Sequence, residues 1–110
     1  MNQKEWWRDA RHLFKLAQGN VRVGLSLEPL IGRVDLGVRQ DYEWMSILVA
    51  GGESRQRGAQ PRRMPEAWVE DLLAFARSAD VPFHMKQMAD GAEIPPRLMV
   101  REFPRGWGPA

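Results

Sequence analysis

The chain has 110 residues, 44% of them hydrophobic and 27% charged, with a formal net charge of +2 and no cysteine. That is enough for one domain with a thin core, and it excludes disulfides, thiolate zinc sites and an iron–sulfur cluster ligated by this chain's own cysteines. The longest apolar run is far short of the roughly 20 residues of a membrane span, and the opening stretch MNQKEWWRDARHLF lacks the apolar core of a signal peptide. No membrane and a cytoplasmic setting are therefore expected.

Residues 3 to 18 place Trp6, Ala10, Leu13 and Ala17 at helical spacing, with Trp7 and Phe14 widening the stripe, and Gly19 ends the pattern. This predicts an amphipathic first helix. The run VRVGLSLEP (21 to 29) reads as a strand that follows a Gly-Asn turn and stops at Pro29. Residues 30 to 41 carry two glycines and no clean period, and are expected to form a loop. WMSILVA (44 to 50) is a continuous apolar strand of the kind buried on both faces, and it runs into Gly51, Gly52, Glu53 and Ser54.

The next stretch is basic: Arg55, Arg57, Arg62 and Arg63 fall within nine residues that hold no acid. Arginine suits bidentate contact with phosphate or carboxylate, so this loop is read either as facing a nucleotide or nucleic acid or simply as solvated. From Pro65 a second helix is predicted, with Trp68, Val69, Leu72, Leu73, Phe75 and Ala76 on one face and Glu66, Glu70 and Asp71 off it, ending near Asp80. VPFHMKQ (81 to 87) is a third strand. Beyond Met88 the chain turns rich in proline and glycine, and RLMVREFP is read as one late short strand.

Strand, helix, strand over about 40 residues is a βαβ unit, which makes the strands parallel. The expected fold class is α/β, a partial barrel-like unit of about three parallel strands and two main helices. It forms one domain, with the N-terminal helix in 1–19, the core in 20–88 and the tail in 89–110. In such folds ligands sit beyond the carboxyl ends of the strands. Ser26, Glu28, Gly51, Gly52, Glu53, Ser54, Lys86 and Gln87 fall there, joined by Arg62 and Arg63, and form the candidate ligand site. The plainer readings stay open: Gly-Gly as a tight turn, and Glu28 with Lys86 as an ion pair closing the core. His84, inside a strand, fits a packed histidine better than a ligand. No metal site is expected.

The stretches VRVGLSLEPLIGRVDL, WMSILVAGGES, AWVEDLLAFARSADVPFHMKQ and REFP together resemble the C-terminal third of a phage-protein family, the gene-product-thirty-seven/sixty-eight-like proteins, over residues 20 to 104. Members of that family resemble radical S-adenosylmethionine enzymes, with a barrel of βα units and a cysteine motif for an iron–sulfur cluster. The residues that match are Ser26, Glu28, Pro29, Gly51, Gly52, Glu53, Ser54, Lys86 and Gln87. Gln60 stands where the family has an arginine, and Met88 where it has a tryptophan.

The cysteine motif has no counterpart in a cysteine-free chain, so radical chemistry by this chain alone is excluded and no cofactor is expected. The resemblance implies a phage- or prophage-encoded binding protein that works in a bacterial cytoplasm and takes a nucleotide, nucleic acid or protein partner. A counter-defence inhibitor and a subunit of a split enzyme are the alternatives. A slice of barrel exposes two unpaired strand edges, which predicts a homo-oligomer or a protein partner over the open edge.

Overall fold

A computed structural model describes residues 2–4, 23–37, 45–54 and 60–104. Strands β1 (Val23–Leu27), β2 (Met45–Gly51) and β3 (Phe83–Gln87) form one parallel sheet in the order β1-β2-β3. Helix α1 (Glu66–Ala79) lies between β2 and β3 in sequence. The α/β class and the three parallel strands are as expected. The predicted first helix lies outside the described residues except for residues 3 and 4, which are helical.

Helix α1 forms because its apolar positions recur on one side. Val69, Leu72 and Ala76 are buried, and Trp68, Leu73 and Phe75 pack against the core beside them. Pro65 precedes its first turn, where a missing N–H costs nothing. Asp80 stops it in the left-handed conformation (φ 55°), its N–H reaching the carbonyls of Ala76 and Arg77, while Val81 N–H returns to Ala76 O at 2.8 Å. The chain then turns straight into β3.

Register explains which side of the sheet meets the helix. Leu25, Leu27, Leu48, Ala50, Phe83 and Met85 are buried in one cluster with α1. The alternate positions form the other face, with Ser26 opposite Val49 and Val49 opposite His84. On that face Gly24 and Ser26 are exposed, and Ile47 and Val49 are only half-buried. The expectation that β2 is covered on both faces is therefore corrected: its apolar run is continuous, but only one side of it reaches the core.

The Pro- and Gly-rich stretch packs onto the core, and the late short strand expected in RLMVREFP is reduced to a single bridge. Pro96–Leu98 is a 3-10 turn that buries Leu98, and Arg97 ties it to α1 through Glu66 and Glu70 at 2.5 and 2.6 Å. Residues 100 to 102 then run antiparallel along β3, with Met85 N–H on Val100 O, Glu102 N–H on Phe83 O and a single bridge between His84 and Arg101. Arg101 closes the seam by donating to Met85 O at 2.9 Å and Lys86 O at 3.0 Å. Of the two open edges expected, the one on β3 is thus covered by the chain itself.

Candidate functional site

The carboxyl ends of the three strands converge, as the parallel order requires, and each ends in polar residues. Lys86 Nζ donates to Glu28 Oε2 at 3.0 Å, joining β3 to the end of β1 across Gly51. A Cβ on Gly51 would stand 3.2 Å from Glu28 Cγ and 3.5 Å from Lys86 Cβ, so the missing side chain makes room for this pair. The chain leaves β1 through a cis Glu28–Pro29 peptide, and Leu30 N–H then reaches Gly51 O at 2.8 Å.

Gly52 is confined more closely. Its N–H donates to Gln87 O at 2.8 Å, and a Cβ there would lie 2.8 Å from the backbone Cα of Ala89 and closer still to the Ala89 nitrogen. Gln87 answers with its side chain, whose Nε2 donates to Gly52 O at 2.8 Å and Ser54 Oγ at 2.7 Å. Gly52 is needed for backbone packed on backbone and Gly51 for the side chains of Glu28 and Lys86, so the Gly-Gly step is accounted for within the chain.

Glu53 is the most heavily bonded group of the set. One carboxylate oxygen accepts the backbone N–H of Arg62 at 2.9 Å and its Nε–H at 3.2 Å, and the other accepts Nη2–H at 2.6 Å. Those bonds, first the side-chain fork and then the backbone amide, hold the Glu53 carboxyl down to a pKa of about 2. Glu102 is lowered in the same way, by Arg77 and then by the Phe83 N–H.

A pH dependence follows with a definite sign. The unfolded chain takes up the Glu53 proton near the ordinary value of 4.5 and the folded chain only near 2, so the stability this group contributes is complete above 4.5 and is lost as pH falls toward 2. Melting temperature measured across that window should fall for the natural chain, and the fall should be shallower in Glu53→Gln. Parallel curves for the two would assign the acid loss to other carboxylates.

The structure therefore brings Glu28, Gly51, Gly52, Glu53, Ser54, Arg62, Lys86 and Gln87 into one linked network. Ser26 lies apart from its hydrogen bonds, exposed on the second sheet face, and Arg63 is exposed next to Arg62. Of the four loop arginines, Arg55 and Arg57 lie outside the described residues. His84, expected as a packed core histidine, is instead half-buried on the second sheet face, edge-on to the exposed ring of Phe103 with ring centres 5.4 Å apart. Two participants escaped the sequence reading: Arg101 and the Asp90 backbone, whose N–H donates to Glu53 O at 3.0 Å. A lone arginine inside the short apolar stretch LMVREF was the available signal for the first.

Two grooves lie away from this network. One of about 220 Å³ sits at the amino end of β3 between Arg77, Pro82 and Phe103, and one of about 360 Å³ runs beside α1 between Arg33, Asp71 and Phe75. No group of three or more metal-ligating side chains occurs among the described residues, and none of their helices is long and apolar enough to cross a membrane.

Residues 1–101 match the model of a family described as protein of unknown function (DUF5131). The chain belongs to DUF5131. The match spans both the sheet and the strand-end network, so the βαβ core and the GGES and KQ stretches lie within the matched residues of this DUF5131 member. No curated protein and no solved structure matches the chain.

Proposed function

We propose that this DUF5131 protein is a non-catalytic binding module of phage type. In this reading it corresponds to the C-terminal part of a radical-SAM-like barrel working without the cluster in a bacterial cytoplasm, and it holds a protein partner or a second copy of itself against the second face of its sheet. The observation that carries the reading is the inequality of the two faces. One is packed under α1, whereas the other offers exposed Gly24 and Ser26 beside half-buried Ile47 and Val49, with Phe103 53% exposed at its margin.

Apolar strand residues left half-covered favour association, because the surface they keep in water is removed when a partner packs there. The alternatives are a counter-defence inhibitor that binds a host defence protein or its nucleotide signal, and a subunit of a split radical-SAM-like enzyme whose cluster is carried by a partner chain.

Ser26→Arg tests it, since Ser26 is exposed on that face and lies outside the core and the strand-end hydrogen bonds. Sedimentation at micromolar concentration should show the natural chain as a dimer or larger, or as a complex with its co-purifying protein. The variant should run as a free monomer that still melts cooperatively, at the lower temperature expected when the stabilisation by a bound partner is lost. A natural chain that is monomeric and retains the same co-purifying proteins as Ser26→Arg would end the sheet-face reading.

A further inference from the structure

The strand ends present two ion pairs of the same build. In each the carboxylate is the sheltered member and the cation the exposed one: the side chains are 23% exposed for Glu28 against 53% for Lys86, and 17% for Glu53 against 61% for Arg62. Both pairs belong to the carboxyl end of β2: Glu28 packs on Gly51, the last residue of that strand, and Glu53 follows two residues later in the chain. Gln87 and Gly52 fix the backbone between them.

A carboxylate behind a cation does two things to an incoming anion. It subtracts from the attraction, and it holds the cation in one place so that less side-chain freedom is lost on binding. For Arg62 the second effect is strong, since three bonds to one carboxylate fix both its backbone and the plane of its fork. Lys86 supplies a point charge on the neighbouring strand.

We propose that this surface is a preorganised receptor for a phosphoryl group, with Lys86 and Arg62 as its contact residues and Glu28 and Glu53 as positioning residues. The proposal rests on the reading of the chain as a binding module and deepens it at the carboxyl end of the same sheet face, where Glu28, Gly51 and Lys86 alternate with the core positions Leu27, Ala50 and Met85. Phosphoryl groups come from free nucleotides and from nucleic acid alike.

The two sources are separated by titrating the full chain with ATP in a calorimeter and with a short fluorescein-labelled single-stranded oligonucleotide by anisotropy. An oligonucleotide response without an ATP response assigns the nucleic-acid source, and the reverse assigns the nucleotide. Lys86→Ala and Arg62→Ala should each weaken the bound probe about tenfold or more, the scale of one charge-assisted hydrogen bond. Raised salt should weaken it as well.

Glu53→Gln is decisive because its sign differs between accounts. If Glu53 positions Arg62, the variant weakens binding although it removes a negative charge; if it only competes with the ligand, the variant tightens binding. Arg62→Lys keeps the charge and loses the fork, and should behave like Glu53→Gln if that variant melts too low to assay. Unchanged or tighter binding by Glu53→Gln, or by Arg62→Lys where it stands in, overturns the positioning role. Failure of the natural chain to bind either probe overturns the receptor, while the Ser26→Arg sedimentation result decides the sheet-face reading separately.

Discussion

Gly52→Ala should cost this protein about 3 kcal/mol, at the upper end of what overpacking does. The new methyl would sit 2.8 Å from Ala89 Cα and from the Met88 carbonyl carbon, and both are backbone atoms that cannot swing aside as a side chain would. Relief requires the turn after β3 to move, which breaks the Gly52 N–H bond to Gln87 O and pulls the Asp90 N–H off Glu53 O. Thermal unfolding followed by circular dichroism should report a drop on the order of 10–20 °C. Gly51→Ala, whose methyl would meet only side-chain atoms at 3.2 to 3.5 Å, is the internal control and should cost much less. Equal losses at the two glycines would show that close backbone approach is not the reason for Gly52.

Phe83→Ala should be comparably severe, at about 3–5 kcal/mol. Phe83 is fully buried and the largest side chain so enclosed, packed among Leu48, Leu72, Val81 and Leu98 in the same cluster. Truncation leaves a ring-sized void in the cluster that joins the sheet, α1 and the 96–98 turn. The backbone at this position is also tied, with its N–H on Glu102 Oε1 at 3.1 Å and its carbonyl holding the Glu102 N–H. Those ties survive the substitution, so the void should collapse incompletely. Urea unfolding should show a midpoint far below that of the natural chain, and Phe83→Leu should recover most of the difference. A midpoint near that of the natural chain for Phe83→Ala would place the core elsewhere.

Helix α1 was legible because a 3.6-residue period over 14 positions is hard to produce by chance, and its end was legible in Asp80 and the Val-Pro step that follow. The strands were legible as apolar runs and their parallel order as a consequence of βαβ topology. The candidate site was legible only as a location: residues that close strands must gather at one end of a parallel sheet.

Which of them bond to which was not legible. Glu53 and Arg62 are separated by a loop whose path no periodicity describes, and Gln87 meets Ser54 across 33 positions. Nor could MSILVAG reveal that Ile47 and Val49 lie outside the core, since an apolar run reads the same whether one face is covered or two. The extended run of residues 100 to 102 was legible in RLMVREFP, but its pairing with β3 and the packing of Leu98 were not, because the prolines before it mark the absence of regular structure and say nothing about burial.

The Glu28–Lys86 pair bears on how the chain reaches this arrangement. Its partners are 58 positions apart, and β1 touches β2 before it can influence β3. Loop closure over such spans costs entropy before any bond repays it, whereas β3 and α1 are neighbours joined by a tight turn. The steps that cost least are therefore α1 on β3 and β1 on β2, whose register joins residues nearer in sequence than that between β2 and β3. The two charges at the strand ends meet only when both pairings have found their register.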